Sequence, residues 1–311
     1  MARILVTGGA GFIGGSLAEK LAEDPHNFVV IVDDLSTGNI HKIPKSKHKN
    51  VQFIKCNVNE WRDLSGVMYS QAFDYVFHYA ALVGVQRTLD NPVQVLSDIS
   101  GIRNILTFSK NSGVKRVLFA SSSEVYGESM HLPQHEETTP LNSRLPYAIV
   151  KNASEAYLKA YHTEYGLEYT IFRFFNTYGP RQSKDFVVSR FIARALKDHP
   201  IEVYGDGQQT RTFCYIDDNI SATTNAFQKN LFINDVANIG GGDEITILDL
   251  AKKIIKLTKS KSKIVHLPPL PEGDMARRRP DLGRMKKLLV RKPISLDDGL
   301  KKILDNTKHI L

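Results

Sequence analysis

Tyr147 and Lys151 stand four residues apart in a stretch that reads as helix, so their side chains share one face. Of the twelve tyrosines, only this one has a lysine at that spacing. A phenol is a poor base at neutral pH, its ordinary pKa being about 10, but a nearby ammonium favours the phenolate. The pair therefore offers a proton acceptor for an alcohol undergoing oxidation. Upstream, a predicted strand runs into Ser121, Ser122, Ser123 and Glu124. Ser122 can hydrogen-bond the same hydroxyl that Tyr147 deprotonates, and Glu124 adds a further acid or base. Taken singly, each feature has an ordinary explanation: an exposed i,i+4 pair contributing a few tenths of a kcal/mol, or serines capping a turn.

A glycine turn gives these residues a common purpose. Gly8, Gly11 and Gly14 fall between a first apolar run, Ile4 to Thr7, and a helix opening at Phe12 and Ile13. Glycine is needed where the backbone turns tightly and approaches a pyrophosphate, whose charge then rests on unpaired N–H groups at the helix start. About 20 residues on, the second strand ends at Asp33, where a carboxylate takes the adenosine ribose hydroxyls and repels a 2′-phosphate. NAD, rather than NADP, is the expected cofactor. Asn57 and Val58 end the third strand, and Ala80 and Ala81 follow the fourth, both at the edge where a dinucleotide would lie. Lys151 is placed to hold the nicotinamide ribose as well. His78 reads as a packed structural histidine.

These residues require strands and helices in alternation. Short runs rich in Val, Ile and Phe recur at Ile4 to Thr7, Phe28 to Val32, Val51 to Cys56, Tyr75 to Tyr79, Arg116 to Ala120 and Tyr169 to Phe175. Helix-length segments separate them, with starts near Phe12, Pro92, Pro146 and Phe186. The pattern predicts an α/β fold: a doubly wound parallel sheet of Rossmann type over residues 1–175, with parts of 212–240 returning to it. Residues 176–311 read as a smaller, mixed α/β substrate domain. It has short strands at Ile201 to Tyr204 and Thr212 to Ile216, a Pro-rich stretch at Pro268, Pro269 and Pro271, and helices at Leu248 to Leu257 and Leu296 to Leu304.

Composition narrows the class. Of 311 residues, 42% are hydrophobic and 24% charged, which excludes disordered, collagenous and coiled-coil chains. No apolar run reaches the roughly 20 residues of a membrane span, and the start of the chain lacks the pattern of a leader, so a soluble cytoplasmic protein is expected. Cys56 and Cys214 are too few for a disulfide framework or a cysteine-rich metal site, and no metal is expected. The net charge of +8 is spread along the chain, and runs such as 45–49 and 259–263 read as solvated loops rather than a nucleic-acid surface.

Together, Thr7 to Gly14, Asp33, Ser122, and Tyr147 with Lys151 resemble the extended short-chain dehydrogenase/reductase family, specifically its nucleotide-sugar epimerases, dehydratases and decarboxylases. Further matches are Phe174 to Arg181, Val203 to Gly207 with Gln209 to Arg211, and Arg277 to Asp281. The resemblance covers nearly the whole chain. It implies a nucleotide-diphosphate sugar as substrate, bound by Asn176, Arg181, Tyr204, Arg211 and Arg277, and a homodimer formed through the helix before Ser112 and the helix carrying Tyr147. Two departures stand out: Asp98 occupies a position where many relatives have asparagine, and the usual Gly-Trp is missing around Leu289 and Val290.

The resemblance also implies catalytic NAD, regenerated each cycle through a 4-keto sugar. A 4-epimerase needs only Tyr147 and Ser122, whereas a 4,6-dehydratase or a uronate decarboxylase needs another acid or base near C5. Glu124 resembles that extra group, and Ser123 before it resembles the decarboxylases and the mannose-type dehydratases. Arg278, Pro280 and Asp281 resemble the decarboxylase C-terminal motif. Against this, the segment from Arg181 to Phe186 is shorter than in decarboxylases, and a uronate beside Glu124 is repelled unless one carboxylate is protonated or paired. The expectation is C5 or C6 chemistry, with 4-epimerisation as the alternative and a non-catalytic binding protein as a remote one.

Overall fold

The computed structural model describes residues 1–44, 49–128, 131–269 and 275–306; the basic residues 45–48 and Pro271 lie outside the described residues. Six of the apolar runs form strands β1 (Ala2–Thr7), β2 (Asn27–Asp33), β3 (Val51–Lys55), β4 (Tyr75–His78), β5 (Arg116–Ser122) and β6 (Glu168–Phe174). A seventh strand, Asp235–Ile239, joins beside β6, giving the order Asp235–Ile239, β6, β5, β4, β1, β2, β3, with every pairing parallel. The order reverses at β1, which pairs with β4 on one side and β2 on the other. In such a sheet the crevice past the strand ends at this reversal is where a ligand binds.

Alternation along the strands explains the two-sided core. Ile4, Val6, Val29 and Ile31 are buried in one cluster, while Leu5, Val30 and Val32 are buried in the other. Each such side chain stabilises the fold by roughly 1.5–3 kcal/mol through removal from water. The first cluster is closed by α1 (Phe12–Ala22), which buries Leu17, Ala18, Leu21 and Ala22, and by helix Val187–Ala195. The second is closed by α2 (Trp61–Ser70) and helix Asp98–Ser112.

Helices begin where the sequence places them. Pro92–Leu96 starts on its proline and leads into Asp98–Ser112, which stops at Gly113 with φ +76°. Pro146 opens the 20-residue helix Pro146–Tyr165, which stops at Gly166. Two helices are not announced by periodicity. α2 buries only Leu64, Val67 and Met68, and Ile216–Gln228 buries polar Asp218, Asn219, Thr223 and Thr224 along with its apolar face, so its pattern resembles a loop.

Beyond β6 the elements are short. Thr210–Thr212 pairs antiparallel with Glu244–Thr246 and parallel with Arg277–Arg278. Ile201–Tyr204 pairs with Ile264–Leu267, and Thr177–Tyr178 with Cys214–Tyr215. The strand expected over Thr212 to Ile216 is instead split into two pieces that join different sheets. Helices Ile247–Thr258 and Leu296–Leu304 complete this part.

Candidate active site

The turn between β1 and α1 is built for close approach. Gly8 adopts φ +69°, and a Cβ there would lie 2.7 Å from the backbone nitrogen of Ala80. A Cβ on Gly14 would collide with the carbonyl oxygen of Gly8. Gly11 caps α1 without any side-chain hydrogen bond, so the first helical N–H groups face the cleft without a protein cap. Asp33 braces this turn: its Oδ2 accepts from the Ala10 N–H at 3.0 Å and its Oδ1 from the Leu35 N–H at 2.9 Å. Burial raises its pKa, the two backbone donors lower it, and the carboxylate still borders the cleft beside Ser36 and Thr37.

Thr7 ties the first strand to the fourth. Its hydroxyl lies 2.8 Å from His78 Nδ1 and accepts from the N–H groups of Tyr79 and Ala80, both at 3.0 Å. Burial pushes the His78 ring down to about 3, which makes it a neutral structural group. Asp98 accepts from Asn59 Nδ2 at 2.9 Å and from the Leu82 N–H at 2.8 Å. An aspartate at this position thus holds the ends of two crossovers, with Asn57, Val58, Ala80 and Ala81 along the same wall.

Ser122, Glu124, Tyr147 and Lys151 all border one cleft of about 530 Å³ with the glycine turn. Tyr147 is half-buried at the cleft, and desolvation pushes its phenol well above the ordinary range. Glu124 raises it further, while the adjacent Ser122 hydroxyl and the Arg278 charge pull it down. Lys151 is buried; its Nζ donates to the Ala120 carbonyl at 2.8 Å and sits 5.7 Å from the centre of the Tyr147 ring. Burial brings the ammonium down to about 8, opposed by Asp98 and Glu155. Desolvation thus outweighs the pull that Ser122 and Arg278 exert on the Tyr147 phenol.

Glu124 lies in a short helical turn directly after β5, and Arg278 Nη1 approaches its Oε1 at 3.5 Å from a segment 154 residues away. Sequence reasoning singles out Arg277 and treats Arg278 only as part of a motif. The structure turns the two apart, because neighbouring strand residues face opposite ways. Arg277 points outward and pairs with Glu244 at 2.7 Å, whereas Arg278 is buried and turned into the cleft. A strand of two residues carries no alternation pattern, so the sequence holds no signal for which arginine faces the cleft.

The other substrate candidates divide. Asn176 borders the cleft with φ +32°, its Nδ2 donating to the Thr212 carbonyl at 3.0 Å. Arg181 is turned onto α1, where it pairs with Glu19 at 2.9 Å, away from the cleft wall. Arg211 is buried and donates to the carbonyls of Thr210 and Met275, both at 2.7 Å. Tyr204 ends its strand beneath the guanidinium of Arg190, 5.7 Å from the ring centre. The structure does not bring Arg181, Tyr204, Arg211 or Arg277 to the cleft wall that holds Tyr147.

Residues 4–240 match the NAD dependent epimerase/dehydratase family. The chain belongs to that family. Among this family's curated members, it is 37% identical to UDP-N-acetyl-alpha-D-glucosaminuronate decarboxylase of Bacillus cytotoxicus, covering 99% of this chain and 98% of the relative. UDP-glucose 4-epimerase of Thermotoga maritima, solved with UDP-glucose, superposes with a TM-score of 0.91 at 32% identity, over 98% of each chain. UDP-glucuronic acid 4-epimerase of Bacillus cereus, solved with UDP-glucuronic acid and NAD, gives a TM-score of 0.89 at 32% identity, over 99% of this chain and all of the other. As an epimerase/dehydratase family member the chain is an NAD-dependent enzyme acting on nucleotide sugars. The glycine cradle, the uncapped helix start and Asp33 fit that cofactor, and no helix among the described residues is long and apolar enough to cross a membrane.

Proposed function

We propose that the chain decarboxylates a nucleotide-linked uronate through C4 oxidation. The observation carrying this reading is the Glu124–Arg278 pair beside Ser122 and Tyr147, a charged acid/base unit that plain 4-epimerisation does not require. Arg278 also answers the repulsion expected from a uronate, since it balances the Glu124 charge in place. NAD, when bound in its oxidised form, supplies the hydride acceptor together with a positive charge. Gly8, Gly11, Phe12, Ile13, Gly14 and Asp33 would hold its adenosine and pyrophosphate, and Lys151 its nicotinamide ribose.

The chain's own residues then act in order. Ser122 orients the C4 hydroxyl, and Tyr147 takes its proton once the loaded site offsets the burial that holds the phenol protonated. A 4-keto uronate is a β-keto acid and loses carbon dioxide readily, leaving C5 to take a water-derived proton delivered through Glu124, after which C4 regains its hydride and Tyr147 returns the proton to the C4 oxygen. Asn176 contributes to sugar-nucleotide binding. The chain works as a homodimer through helices Asp98–Ser112 and Pro146–Tyr165, the latter presenting exposed Ile149 and Tyr165, and a cytoplasmic site suits its two free thiols.

Incubation with UDP-glucuronate and its N-acetylated counterpart, followed by mass analysis, tests the reading. A product lighter by carbon dioxide supports it, one lighter by water means dehydration, and an isomer of unchanged mass means 4-epimerisation. That second reading, epimerisation, is favoured by the short segment at 181–186 and by the likeness to the B. cereus uronate epimerase.

A further inference from the structure

Resting on the uronate reading, we infer that Arg87 is the residue that selects an acidic sugar, leaving its partner Asp185 to take the substrate carboxylate. Four cationic side chains border the cleft among the described residues: Lys42, Arg87, Lys151 and Arg278. Lys42 is already balanced by two carboxylates, Asp33 and Asp185, and is opposed by the Arg181 charge. Lys151 is buried and spends a proton on the Ala120 carbonyl. Arg278 is buried against Glu124, with its Nε on the Met275 sulfur at 3.2 Å, so a substrate carboxylate there would set two anions on one cation. Arg87 remains.

Its present bonds are of the kind that exchange. Arg87 Nη2 pairs with Asp185 Oδ2 at 2.7 Å, and both side chains are partly exposed, at 33% and 42%. Its Nη1 donates to the Val83 carbonyl at 2.9 Å. A pair open to water contributes little, so replacing Asp185 by a substrate carboxylate costs the protein little, and a guanidinium can meet that carboxylate in the two-pronged geometry that a lysine cannot. Gly84, at φ +110°, starts the helix Val85–Asp90 that carries Arg87. The virtual Cβ of Gly84 would lie 3.7 Å from both Arg87 Nη1 and Asp185 Cβ, so the pair meets directly over this glycine. Gly84, Arg87, Gln182 and Ser183 border the same cleft as Ser122 and Glu124, and the Arg87–Asp185 pair ties the segment carrying Arg87 to the one carrying Ser183 across 98 residues of sequence.

The test compares equilibrium binding of UDP-glucuronate and UDP-glucose to the NAD-loaded protein by calorimetry, alongside turnover of both. Arg87→Met is expected to weaken UDP-glucuronate at least tenfold and leave UDP-glucose within twofold, with kcat for the uronate little changed and KM raised. Arg87→Lys falls between. Asp185→Asn, which leaves the guanidinium in place but removes its competitor, is expected to tighten UDP-glucuronate alone. A ratio of the two affinities that stays within twofold of wild type in both Arg87→Met and Asp185→Asn overturns the assignment. Because binding is read separately from chemistry, a wild-type chain that fails to decarboxylate yet shows Arg87-dependent preference for the acidic sugar rejects the decarboxylase reading and keeps this one.

Discussion

The two ends of the cleft are assembled in opposite ways. At the cofactor end, Gly8, Gly11, Gly14 and Asp33 come from one strand–helix–strand unit, the glycines acting through backbone and Asp33 through a carboxylate held by the N–H groups of Ala10 and Leu35. At the sugar end, Glu124 meets Arg278 and Arg87 meets Asp185, pairs separated by 154 and 98 residues. A site made of contiguous backbone is rigid and tolerates few side chains, whereas one made of distant charged pairs can be re-tuned by a single exchange. That contrast accounts for one family carrying several reactions on one cofactor cradle.

Breaking the shared centre has the largest expected effect. Tyr147→Phe removes the phenol that meets the Ser122 hydroxyl, so turnover of every sugar nucleotide falls by ~10³ or more while NAD stays bound; product assay and cofactor content of the purified variant check both halves. Glu124→Gln separates the two ends: decarboxylation falls by roughly 10²–10³ but C4 oxidation continues, leaving reduced cofactor visible at its absorbance band. Full activity in that variant would return the chain to epimerisation.

Smaller changes sharpen the contrast. Gly8→Val forces a side chain onto the Ala80 backbone and out of the left-handed region, so NAD affinity drops by about 10²-fold, measured by fluorescence titration. Arg278→Ala costs ~10² in kcat/KM, whereas Arg277→Ala, an exposed pair with Glu244, stays within about threefold; equal losses would contradict the strand register. The least effect concerns pH. His78 has its usual value of 6.5 lowered to about 3 in the fold, so the unfolded chain binds the extra proton and stability falls as pH drops from about 6.5 toward 3, by at most ~1.4 kcal/mol per pH unit. Denaturation midpoints across that window, with an NMR titration showing the ring neutral at pH 5, measure it.

Particular residues show what was legible. The six strands named from apolar runs stand where expected, since a parallel sheet covered on both faces needs uninterrupted Val, Ile and Leu. Tyr147, Lys151, Ser122 and Glu124 were found by residue type and spacing, and all border one cleft. Helix Ile216–Gln228 is hidden in the sequence because it buries polar residues: Asn219 donates to Thr177 from a distant segment, and Thr223 donates back to the helix's own Asn219 carbonyl. Arg181, read as a substrate ligand, is turned onto Glu19 of α1, a partner 162 residues away.

Local order is written in the chain itself: where the backbone must turn, which runs must be buried, and which phenol shares a helix face with an ammonium all follow from nearest-neighbour sterics and periodicity. Charge state and partnership do not. Whether the phenol holds its proton, which of two adjacent arginines enters the cleft, and which carboxylate each guanidinium meets depend on burial and on contacts across more than 90 residues, because desolvation and Coulomb energies are set by what surrounds a group in space.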